Sequence, residues 1–118
     1  MANISNHTND ALVLGTSNAD SILNYVLGKN YLGDRATLDA GDGNDTITNS
    51  GCLQVIIEGG GGDDIINNDG EDVYINGGAG NDSITNGGAN VSIFGGDGND
   101  TIATTARTPR LSAAQATI

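Results

Sequence analysis

The chain has 118 residues, room for one domain, and 19 of them are Gly, far above the share in an ordinary globular protein. One Phe, three Tyr and no Trp leave burial to small β-branched side chains, which excludes a conventional core and requires something else to hold the fold. Fifteen acidic against four basic residues give a formal net charge of −11, which excludes a nucleic-acid-binding face and leaves a repulsion that a bound cation would relieve. The acids fall at fixed offsets beside Gly instead of forming a block, a sign of defined sites.

Residues 1–10, MANISNHTND, form a polar N-terminal segment without the basic and apolar regions of a cleaved signal peptide, so any export is expected to use another route. His7, the sole histidine, is read as part of a solvated tail. No apolar run approaches the length of a membrane span.

From residue 11 the chain repeats. Gly15-Thr16-Ser17-Asn18-Ala19-Asp20-Ser21-Ile22 is a weak first copy that lacks the inner glycines. Four stronger copies follow: Ala40-Gly41-Asp42-Gly43-Asn44-Asp45-Thr46-Ile47, Gly59-Gly60-Gly61-Gly62-Asp63-Asp64-Ile65-Ile66, Gly77-Gly78-Ala79-Gly80-Asn81-Asp82-Ser83-Ile84 and Gly95-Gly96-Asp97-Gly98-Asn99-Asp100-Thr101-Ile102. Successive starts lie 25, 19, 18 and 18 residues apart. The excess in the first step is read as an insertion within Tyr25 to Leu32, and the extra residue of the second as part of Cys52-Leu53-Gln54. A second nonapeptide alternates with these blocks, running from Asn49, Asn68 and Asn86 to Val55-Ile56-Ile57, Val73-Tyr74-Ile75 and Val91-Ser92-Ile93, so two nonapeptides make one period. Cys52 is the only cysteine, which rules out an internal disulfide and a Cys-based zinc site. In residues 104–118, TTARTPRLSAAQATI, the composition changes and the repeat ends; this tail is read as a cap, an export signal or the end of a truncated longer protein.

The four strong blocks resemble the RTX, or hemolysin-type, calcium-binding nonapeptide G-G-x-G-x-D-x-U-x over roughly residues 11–103. The resemblance implies an all-β, right-handed parallel β-roll, a β-solenoid in which each nonapeptide is a turn plus a short strand and two complete a coil. Stacked coils place equivalent residues about 4.8 Å apart. Asp45, Asp64, Asp82 and Asp100 then form a ladder of like charges, and Ca²⁺, which takes oxygen ligands at about 2.3–2.6 Å, can reach carboxylates of two adjacent turns. By resemblance, the remaining ligands are carbonyls of the turns at Ala40, Gly41, Asp42 and Gly43; Gly59, Gly60, Gly61 and Gly62; Gly77, Gly78, Ala79 and Gly80; and Gly95, Gly96, Asp97 and Gly98. The four turns enclose three calcium sites, with a fourth, weaker one expected between the Asp20 and Asp45 loops. The intervening nonapeptides carry Val55, Val73 and Val91 where the family's ligand Asp stands, so metal is expected along one edge only.

Alternation along the strands turns Ile47, Ile66, Ile84 and Ile102 inward, with Leu38, Ile57, Ile75 and Ile93 facing them. Val55, Val73 and Val91 form a third row, on an edge where Asn49, Asn68 and Asn86 are expected to stack. Asp in Gly-rich turns also makes Asx-turns without metal, but four copies in register at this charge density favour a cation. A Walker loop and a nucleophile–base set are absent from the sequence, so no enzyme is expected. Three functions stay open: a secreted calcium-binding structural module exported by a type I system, a filament or matrix protein that self-associates end to end, and a piece of a larger toxin, protease or lipase.

Overall fold

The computed structural model describes residues 2–6, 11–25, 34–105, 110–111 and 116–117, the side chains after residue 105 aside. His7 and most of the expected insertion lie outside the described residues. The strands are short because a turn, Gly-rich in every second nonapeptide, recurs every nine or so residues and stops each one. In chain order they are β1 (Asn3–Asn6), β2 (Leu12–Leu14), β3 (Ser21–Tyr25), β4 (Thr37–Asp39), β5 (Thr46–Ser50), β6 (Ile56–Glu58), β7 (Ile65–Asn68), β8 (Tyr74–Asn76), β9 (Ser83–Asn86), β10 (Ser92–Phe94), β11 (Asp100–Thr104), β12 (Arg110–Leu111) and β13 (Ala116–Thr117).

Odd-numbered strands form one sheet in the order β1-β3-β5-β7-β9-β11-β13, and even-numbered strands the other, in the order β12-β10-β8-β6-β4-β2. Every pairing is parallel, so the chain is an all-β parallel solenoid with two strands per coil. The apolar residues set the register. Ile22, Ile47, Ile66, Ile84 and Ile102 stack in one sheet, and Val13, Leu38, Ile57, Ile75 and Ile93 stack in the other. All ten are buried, and the core between the sheets is completed at one edge by Ala36, Val55, Val73 and Val91. A slip of one residue would turn each ladder to solvent, which fixes the stacking. The expected apolar ladders are all present and reach further toward the N-terminus, to Val13 and Ala36 and, through Ile22, to Ile4.

Both β2 and β3 pair with segments 25 residues further on, as in Leu12↔Thr37 and Ser21↔Thr46, which puts the extra residues between Tyr25 and Thr37. Strands also continue on either side of the nonapeptides. β1 stacks Ile4 on Ile22, while β12 and β13 pair with β10 and β11.

The Val edge satisfies its own polar groups. Nδ2 of Asn6, Asn24, Asn49 and Asn68 donates to Oδ1 of Asn24, Asn49, Asn68 and Asn86 at 2.8–2.9 Å, and Asn86 ends the row on Thr104 Oγ1 at 3.1 Å. The second Nδ2 hydrogen of Asn49, Asn68 and Asn86 goes to the carbonyls of Cys52, Gly70 and Gly88. Cys52 is buried in this edge, where burial and the nearby Asp34 charge push its thiol up to about 11.

Candidate metal centre

The opposite edge is built from the Gly-rich turns. Gly60 and Gly62, second and fourth in their block, have φ of +92° and +105°, and a Cβ on Gly60 would strike the Gly41 carbonyl of the coil below. The same two positions are left-handed in the other strong blocks, so the turns superpose and lock by backbone hydrogen bonds, Gly61 N to Gly41 O at 3.2 Å and Ala79 N to Gly60 O at 3.0 Å. Third-position residues Gly61, Ala79 and Asp97 form parallel bridges, whereas the Asp42 side chain is exposed.

Each turn delivers its Asp into the interior just ahead of a strand or, at Asp100, as the strand's first residue. Asp20, Asp45, Asp64, Asp82 and Asp100 are at most 2% exposed. One carboxylate oxygen of each is a clip between coils: Oδ1 of Asp45, Asp64, Asp82 and Asp100 accepts the backbone N–H of Asp20, Asp45, Asp64 and Asp82 at 2.7–2.9 Å. The other oxygen is different. Oδ2 of Asp45, Asp64, Asp82 and Asp100 is buried with no hydrogen-bond partner. A buried acceptor left in that state costs roughly 1–3 kcal/mol, and more when it carries charge.

The first glycine of each turn faces this orphaned oxygen. A Cβ on Gly59 would stand 2.6 Å from Asp64 Oδ2 and 2.5 Å from the Gly77 carbonyl oxygen; on Gly77 it would stand 2.5 Å from Asp82 Oδ2 and 2.7 Å from the Gly95 carbonyl oxygen. Carboxylate and carbonyl oxygens of adjacent turns therefore converge beside a bare Cα. Ala40 takes this place in the first strong block and is fully buried there. Among the described residues, no three His, Cys, Asp or Glu side chains gather around one point, so a cation on this edge would take most of its ligands from carbonyls.

Burial raises the affinity of the Asp45, Asp64 and Asp82 carboxyls for protons. Desolvation, followed by the charges of neighbouring ladder members, pushes Asp64 and Asp82 up to about 7, and Asp45 is shifted the same way chiefly by desolvation. Asp20 moves in the opposite direction because the Thr16 N–H and hydroxyl, with Ala2 N–H, hydrogen-bond to its carboxylate.

The ladder contains every Asp expected from the sequence, but Asp20 differs from the rest in having both oxygens satisfied. Of the expected carbonyls, those of Gly41 and Gly60 are engaged in inter-turn hydrogen bonds, and those of Gly77 and Gly95 border the free carboxylate oxygens. Sequence reasoning did not assign a role to the residue preceding each ladder Asp. Asn44, Asp63 and Asn81 use Oδ1 to accept the N–H of Asp63, Asn81 and Asn99 at 2.8–2.9 Å, an exposed clip running opposite to the buried one. The repeated Asn/Asp-Asp pair is the signal that could have found it. No protein-family model, curated protein or solved structure matches the chain. Among the described residues no helix is long and apolar enough to cross a membrane.

Proposed function

We propose that the protein is a calcium-binding structural module of the RTX β-roll type that folds when calcium is supplied. The observation that carries this reading is the row of four orphaned carboxylate oxygens, buried at the same position in successive coils. A stack of Asp can only accept hydrogen bonds, so a proton or a cation must meet the free oxygens. A proton neutralises one carboxyl at a time and is scarce above neutral pH. A divalent cation between turns serves two coils and attracts the carbonyl oxygens as well.

Asp45, Asp64, Asp82 and Asp100 would hold the metal through Oδ2, with first-position carbonyls such as those of Gly77 and Gly95 beside them. Bound calcium would supply the positive charge that permits the ladder to stay ionised and buried. Calcium suits the edge better than magnesium, which demands near-ideal octahedral geometry and sheds water reluctantly, whereas calcium accepts six to eight oxygens in flexible arrangements.

The Ile, Leu and Val ladders are thin, and ordering the backbone costs about 1–2 kcal/mol per residue, more at Gly. Metal binding adds its free energy to folding because only the stacked turns present the oxygens. Extracellular calcium modules are commonly tuned to about 10⁻⁴–10⁻³ M, so the chain would stay unfolded in a calcium-poor cytosol, suited to passage through a type I exporter, and fold outside. Far-UV circular dichroism during a calcium titration tests this. The expected result is a steep change from disordered to β-rich that magnesium does not reproduce. A β-rich spectrum that persists unchanged in excess chelator would overturn the reading.

A further inference from the structure

The coil that carries Asp20 repeats the geometry of the others up to one residue. Asp20 Oδ1 accepts the Ala2 N–H at 3.0 Å, the clip seen along the whole ladder. The cradle is present too: a Cβ on Gly15 would stand 2.9 Å from Asp20 Oδ2 and would strike the Ala40 carbonyl.

The difference lies at the second position of the turn. Gly41, Gly60, Gly78 and Gly96 adopt φ of +86°, +92°, +93° and +90°, and Thr16 does not enter this region. In the left-handed conformation the N–H of Gly41 and Gly78 points back to the side chains of Asp39 and Asn76, at 3.2 and 3.1 Å. Leu14, at the equivalent place before Thr16, offers no acceptor. The Thr16 N–H instead donates to Asp20 Oδ2 at 2.5 Å, and the Thr16 hydroxyl lies 2.9 Å from the same oxygen. The atom that is orphaned in the four later coils thus has the Thr16 N–H as its donor in this one, and the Thr16 hydroxyl, 3.0 Å from Oδ1 as well, bridges the two oxygens.

We infer that Thr16 closes the Asp20 position to metal and makes the first ladder coil a calcium-independent cap, on which the calcium-dependent coils stack. The inference rests on the calcium reading of the ladder. A cation at Asp20 Oδ2 would have to displace the Thr16 N–H and the bridging hydroxyl that already compensate its burial, whereas at Asp45, Asp64, Asp82 and Asp100 there is nothing to displace. Solenoids need end repeats that are stable with fewer neighbours, and an Asp20 Oδ2 satisfied within its own turn, with only Oδ1 left to the Ala2 N–H ahead of β1, meets that need.

The test counts calcium bound per chain, by equilibrium dialysis and native mass spectrometry at saturating calcium, in the parent and three variants. Thr16→Gly, which can adopt the left-handed turn and withdraw both donors, is expected to bind one more calcium than the parent. Asp20→Asn is expected to bind the same number as the parent. Asp82→Asn, the contrast, is expected to bind fewer. An unchanged count in Thr16→Gly, or the loss of an ion in Asp20→Asn, would overturn the closure at Thr16 while leaving the calcium reading intact. A parent chain that binds no calcium overturns both. Should Thr16→Gly not fold, Asp20→Asn decides the matter alone.

Discussion

Gln54 adopts φ +58°, and Arg35, Asp72 and Asn90 repeat that conformation at +57°, one residue ahead of Ala36, Val55, Val73 or Val91 in each coil. The left-handed region costs an ordinary L-residue roughly 1–2 kcal/mol, whereas Asn and Asp enter it more easily through local hydrogen bonds from their short side chains. Gln54 has a longer side chain and takes the larger penalty. Replacing it by Gly removes that penalty and returns part of it through the greater freedom of the unfolded chain. Gln54→Gly is therefore expected to stabilise the calcium-loaded protein by about 0.5–1 kcal/mol, read as a higher urea midpoint, with Asn90→Gly closer to neutral. A midpoint that falls in Gln54→Gly would show that its side chain contributes more than its backbone costs.

Two edges of the same coil solve opposite problems with nearly isosteric side chains. An Asn amide has both donor and acceptor, so a column of Asn completes itself, as Asn49, Asn68 and Asn86 do with one another and with turn carbonyls. A column of Asp has acceptors only. It can use the backbone N–H of the coil below for one oxygen and must find a cation or a proton for the other. Asn68→Leu would keep the volume, remove one of the two hydrogen bonds at the Asn49 amide and at the Asn86 oxygen, and take the Asn68 partner from both polar groups of Gly70. The expected loss is about 3 kcal/mol or more in denaturant unfolding at saturating calcium, with the number of bound ions unchanged. Asn67→Leu, on the exposed face of the same strand, is the control and should be nearly neutral. Equal losses at the two positions would remove the Asn column from the account of stability.

Over the whole molecule the ladder couples folding to pH. Asp64 and Asp82 hold their protons up to about 7 in the folded chain, while the unfolded carboxyl releases its proton near the ordinary 3.8. Between those values the folded state binds more protons than the unfolded one, so the stability of the metal-free fold falls as pH rises from about 4 to about 7. On the proposed reading calcium needs the ionised carboxylates, so its contribution would grow over the same window. Circular dichroism of the chelated chain should show more β structure at pH 5 than at pH 7.5, where it is disordered, and the gain in β structure on adding calcium should be larger at pH 7.5. A β content of the chelated chain that rises with pH across this range would mean that the ladder carboxyls do not hold protons in the folded metal-free chain.

The period of two nonapeptides, the inward Ile and Leu columns, the Val row and the Asp ladder were legible in the sequence because each coil repeats the same alternation, and stacking identical coils places identical residues one above another. The one-edged character of the ladder was legible for the same reason, in Val55, Val73 and Val91. Which oxygen of each Asp would be left free was not, because that depends on which N–H the neighbouring coil presents to it. The left-handed residues at Arg35 and Gln54, the reach of the Asn column to Asn6, and the strands outside the repeat were likewise decided by the coil next door. Thr16 is the sharpest case: in the sequence it is a missing glycine, and only the folded turn shows that its N–H and hydroxyl occupy the oxygen that the other coils leave open.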